Sequence, residues 1–75
     1  MIKGQWQAAR ALIGWSQSDL AGKVGVASLT IKRLEGGQVV SDHIRARAQA
    51  ALESAGVEFT NGEQPGVRLR KRYEL

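Results

Sequence analysis

A mainly helical fold, four helices followed by a C-terminal β-hairpin, is predicted by three features of this sequence. Apolar residues recur at three- and four-residue steps in successive segments up to Ala55. A glycine closes each of those segments, at Gly14, Gly25, Gly36-Gly37 and Gly56. Beyond Gly56 the period changes to strict alternation. At 75 residues the chain has room for one domain, spanning 1–75, which buries roughly 60% of the surface its unfolded chain exposes.

The first helix is expected over 4–13, with Trp6, Ala9, Leu12 and Ile13 on one buried face. Ser16 is suited to cap a second helix, since its hydroxyl accepts from an otherwise unpaired N–H, and Asp19 completes a capping-box-like pattern. Leu20, Ala21 and Val24 form the apolar side of that helix. Gly25 follows where a tight turn needs positive φ, and Val26 plugs the junction with the next helix.

The third helix should run from Ala27 or Ser28 to Leu34 or Glu35. At about 100° per residue, Ala27, Ile31 and Leu34 fall inward, while Ser28, Leu29, Lys32 and Arg33 fall outward. Two cations, a hydroxyl and a leucine with no evident reason to face water make a surface suited to base edges. Residues 16–37 therefore read as a helix-turn-helix, with double-stranded DNA as the expected ligand. Ser41 and Asp42 open a fourth helix that packs through Ile44, Ala48, Ala51, Leu52 and Ala55. A hairpin over about 57–72 pairs Val57 to Thr60 with Gly66 to Arg70, through a loop containing Asn61-Gly62 and Pro65. Val39 and Val40 either close the loop over the core or meet a second subunit.

Lys and Arg number 11 against 7 Asp and Glu, for a formal charge of +4 and a pI near 10.1. The excess favours a polyanionic partner and is clustered, at Lys32-Arg33 and again at Arg68, Arg70, Lys71 and Arg72. With no Cys and one His, neither disulfides nor the usual structural zinc is expected, and His43 reads as a surface residue. The apolar runs are far shorter than the roughly 20 residues of a membrane span, and the start lacks a secretory layout. A soluble cytoplasmic, nucleoid-associated protein without membrane contact is the expectation. No phosphate loop, metal-ligand spacing or activated nucleophile is visible, so neither an enzyme nor a cofactor is expected.

The segment Trp15-Ser16-Gln17, then Asp19-Leu20-Ala21, Gly25-Val26, Thr30-Ile31 and Glu35-Gly36-Gly37 closely resembles the phage-repressor-like helix-turn-helix family, also called Cro-like or xenobiotic-response-element regulators. The match covers roughly residues 8–37. The resemblance implies that Gln17 bonds a DNA phosphate and that Ser28, Leu29, Lys32 and Arg33 contact bases. It also implies a structural ion pair between Arg10 and Glu35. Gln38, Arg70 and Lys71 are further candidates for phosphate contacts. Where the family places a Ser or Thr cap, this chain has Ala27. Either Ser28 caps one residue later or the third helix starts without a side-chain cap.

These readings converge on a small transcriptional regulator of bacterial, plasmid or phage type, a repressor in preference to an activator. One recognition helix makes few base contacts, so a homodimer on an inverted repeat is expected, with the hairpin edge as its candidate interface. The alternative is a helix-turn-helix-derived interaction module, antiactivator or antitoxin-like, that binds another regulator in place of DNA.

Overall fold

The computed structural model describes residues 3–60 and 66–69. It contains α1 (Lys3–Ile13), α2 (Gln17–Val24), α3 (Ser28–Glu35) and α4 (Asp42–Ser54), followed by β1 (Val57–Thr60) and β2 (Gly66–Leu69). The two strands pair antiparallel, Val57 opposite Leu69, Glu58 opposite Arg68, Phe59 opposite Val67 and Thr60 opposite Gly66. The expected mainly helical domain with a terminal hairpin is thus present in outline. Arg70, Lys71 and Arg72, the loop residues Asn61, Gly62 and Pro65, and the outer part of the expected hairpin lie outside the described residues.

Each helix starts and stops for local chemical reasons. Ser16 and Asp19 form a reciprocal capping box: the Asp19 N–H donates to Ser16 Oγ at 3.0 Å, and the Ser16 N–H donates to Asp19 Oδ2 at 2.9 Å. Gly25 ends α2 in the left-handed region at φ 84°, and the N–H groups of Gly25 and Val26 both donate to the Ala21 carbonyl. A side chain at position 25 would be strained there, which ties the tightness of the α2–α3 turn to a glycine. α3 closes with the N–H of Gln38 donating to the Arg33 carbonyl at 3.0 Å and that of Gly37 to Leu34 at 3.3 Å. Ser41 caps α4 through a 3.2 Å bond from the Ile44 N–H.

The core joins all the elements. Trp6 and Ala9 of α1, Leu20, Ala21 and Val24 of α2, Ile31 and Leu34 of α3, Ala48 and Leu52 of α4 and Val57 of β1 form one buried cluster. Half-buried Ile13, Trp15, Val26, Val40, Ile44, Ala51, Phe59 and Val67 pack against it. The Trp6 and Phe59 rings meet edge to face with centroids 6.1 Å apart, so the hairpin is seated on α1 by an aromatic contact.

Two expectations about burial are corrected. Leu12, assigned to the buried face of α1, is 40% exposed. It lies about two helical turns from Gln5 on the same flank of α1, and among the described residues the hairpin's bonds to that flank are made at Gln5, whose Nε2 donates to the carbonyls of Thr60 at 3.1 Å and Gly66 at 2.8 Å. Gln5 is therefore a buried polar latch that its residue type did not announce. Ala27, expected on the inner face of α3, is the exposed N-cap, because the helix begins one residue later and extended backbone at ψ 151° turns that methyl outward.

Candidate nucleic-acid interface

The buried junction beneath α3 is organised by one carboxylate. Glu35 ends α3 with its side chain 1% exposed, and Arg10 of α1 grips it with two bonds, Nε to Oε2 at 2.5 Å and Nη2 to Oε1 at 2.9 Å. The planar fork of Arg matches the two carboxylate oxygens, a geometry that Lys cannot reproduce. Arg10 Nη1 also donates to the Trp15 carbonyl at 3.0 Å, tying in the α1–α2 turn. Gln17 Nε2 adds a third donor to Glu35 at 3.0 Å. Side chains from α1, α2 and α3 thus converge on a single charge, and no buried side-chain polar atom among the described residues lacks a partner. The pairing of Arg10 with Glu35 is as expected from the sequence.

The Gln17 carboxamide, expected at a phosphate, is turned toward Glu35 through one of its two N–H groups. Its second N–H has no acceptor among the described residues. Gln17 opens α2, where the first N–H groups of a helix have no intrahelical acceptor and favour negative charge.

Ser28, Leu29, Lys32 and Arg33 are all exposed on α3, as the angular arithmetic places them. Leu29 is 54% exposed, a large apolar side chain held in water by the helix repeat alone. Neither Lys32 nor Arg33 forms an ion pair with a described residue, so both charges are uncommitted there. Five of the expected contact residues, Gln17, Leu29, Lys32, Arg33 and Gln38, line one open cleft of about 520 Å³, together with Gln7, Glu35 and Gly36. Ser28 stands apart from that cleft, at the first turn of α3. Ala27 supplies no cap bond, and the Ser28 Oγ lies 3.0 Å from the Ser18 Oγ of α2.

Gln7 was not among the sequence candidates, yet it was within reach of the same arithmetic. Residues three apart share a helix face, so fixing Arg10 toward Glu35 also directs Gln7 toward the end of α3. No comparable signal pointed to the Ser18–Ser28 contact, which depends on the angle between two helices. Arg68, part of the C-terminal basic cluster, bonds Glu58 across the hairpin at 2.6 Å. The hydrogen bond first, and the carboxylate's charge second, raise the Arg68 pKa above its ordinary value. Arg70 and Lys71, named as phosphate contacts, lie outside the described residues.

Among the described residues no cluster of His, Cys, Asp and Glu is disposed to hold a metal ion, and His43 is exposed. No described helix is long and apolar enough to cross a membrane. No protein-family model matches the chain, and a comparison with curated proteins finds no match.

Proposed function

We propose that this chain is a sequence-specific double-stranded DNA-binding regulator of helix-turn-helix type, akin to the phage-repressor-like regulators, with α3 as its recognition helix. The observation that carries the reading is the outward side of α3, where Lys32 and Arg33 have no described ionic partner and Leu29 is 54% exposed. A helix with its side chains is about 10–12 Å across, close to the roughly 12 Å width of the B-DNA major groove. Arg33 grips guanine through two N–H groups, Lys32 meets guanine or phosphate, and Leu29 covers a thymine methyl. Gln17 and Gln38 flank that face in the same cleft and bond phosphates, fixing the register of the helix on the duplex. Arg70 and Lys71 are further candidates for phosphate contacts. The protein acts by occupying its site, as a repressor in the cytoplasm, with no catalysis and no cofactor.

A homodimer on an inverted repeat follows from the small number of base contacts one short helix can make. Its two recognition helices then stand roughly 34 Å apart. β2 belongs to a two-stranded sheet and has one edge without a described strand partner, and Leu69 on it is 54% exposed. Pairing of two such edges is the proposed interface.

Duplexes enriched from a random pool provide the test. The reading predicts an inverted-repeat sequence whose affinity falls steeply with salt, and a dimer by sedimentation on DNA. No retained duplex at modest ionic strength contradicts it. Val39, 98% exposed in the loop between α3 and α4, favours the second reading, a partner protein covering an apolar surface. In that case Arg33→Ala leaves binding intact and Val39→Asp abolishes it.

A further inference from the structure

Resting on the DNA-reading role of α3 and deepening it, we propose that Ser18 of α2 is a specificity-determining positioning residue, holding the Ser28 hydroxyl so that the two serines present one oriented hydroxyl unit to a base edge. Their Oγ atoms are 3.0 Å apart across two different helices, both residues are exposed, and either hydroxyl can be the donor.

The chemistry turns on proton count and rotamer freedom. A lone serine on a solvated helix rotates among staggered wells and offers a donor or an acceptor to whatever approaches, so it discriminates weakly. In the pair, one of the two hydroxyl protons lies in the Oγ–Oγ bond and a single proton remains to be donated outward. The rotamers of both side chains are restricted at the same time. In the major groove guanine O6, purine N7 and thymine O4 accept, whereas adenine N6 and cytosine N4 donate. With one proton and one lone pair tied up between them and both rotamers narrowed, the pair meets those two sets in fewer geometries than a freely turning serine and so separates them more sharply.

The residues on either side of Ser18 are tied down by hydrogen bonds. Its neighbours are Gln17, held by Glu35, and Asp19, locked in the capping box with Ser16. Ser28 is not diverted to capping, since the start of α3 carries no side-chain cap bond. The second hydroxyl therefore comes from α2, outside the helix that reads.

The test is duplex selection with the wild type, Ser18→Ala, Ser28→Ala and the double variant. Each single change is expected to flatten the preference at the same base pair of each half-site by about fivefold, with no further loss in the double variant. Ser18→Thr restores the preference, and thermal stability is unchanged throughout because both residues are exposed. Ser18→Ala with the wild-type preference overturns the inference while leaving the DNA-binding reading intact. So does a uniform loss across all sequences, the mark of a phosphate contact. A wild-type protein that enriches no duplex overturns both.

Discussion

The two sides of α3 carry opposite physics within eight residues. On one side Ile31 is 0% exposed, Leu34 is 4% exposed, and Glu35 accepts bonds from α1 and α2. On the other, Ser28, Leu29, Lys32 and Arg33 face solvent, and the two cations have no described ionic partner. The inner side is closed chemically, every group matched to another group of the same chain. The outer side is open to solvent. Stability and recognition are therefore expected to separate cleanly by helix face.

The largest effect should come from Ile31→Ala. Removing a fully buried side chain leaves a cavity costing about 4 kcal/mol, read as a lower denaturation midpoint, and an unshifted midpoint would mean the inner side is not the core. Arg10→Ala comes next, at about 3 kcal/mol in the same measurement, because Glu35 is left charged and buried without its main partner. Arg33→Ala reverses the pattern: stability stays within about 0.5 kcal/mol, while affinity for a selected duplex drops by about 2 kcal/mol, roughly thirtyfold. A stability loss there, with unchanged affinity, would erase the distinction between the faces.

Two smaller changes sharpen the comparison. Gln5→Ala removes two hydrogen bonds to the hairpin and should cost about 1.5 kcal/mol, concentrated in faster amide exchange of β1 and β2. Global destabilisation without selective loss of hairpin protection would show that Gln5 is not a local latch. Val39→Ser, at a position 98% exposed, should change both stability and duplex affinity by less than about 0.5 kcal/mol. A large loss of duplex affinity would place Val39 in the recognition surface.

The helical part was legible because its signals are local. Capping at Ser16 and Asp19, the left-handed glycine at Gly25 and the repeat of Leu20, Val24, Ile31 and Leu34 each follow from a few neighbouring residues. Glu35 and Arg10 were found through the family resemblance, since nothing in spacing alone pairs residues 25 apart. What escaped depends on packing between elements. Gln5 is buried because a hairpin more than fifty residues away lies over it. Leu12 is 40% exposed although the helix repeat places it on the same flank as buried Gln5. The Ser18–Ser28 contact and the place of Gln7 in the cleft likewise arise from interhelical angles, which periodicity does not encode.

The central claim, that the outward side of α3 is the reading surface, is tested most directly by mapping amide and side-chain NMR shifts while a selected duplex is titrated in. The account predicts the largest changes at Ser28, Leu29, Lys32 and Arg33, with Gln17 and Gln38 next and the loop at Val39 nearly silent. Shifts centred on Val39 and the hairpin, with α3 unmoved, would contradict it.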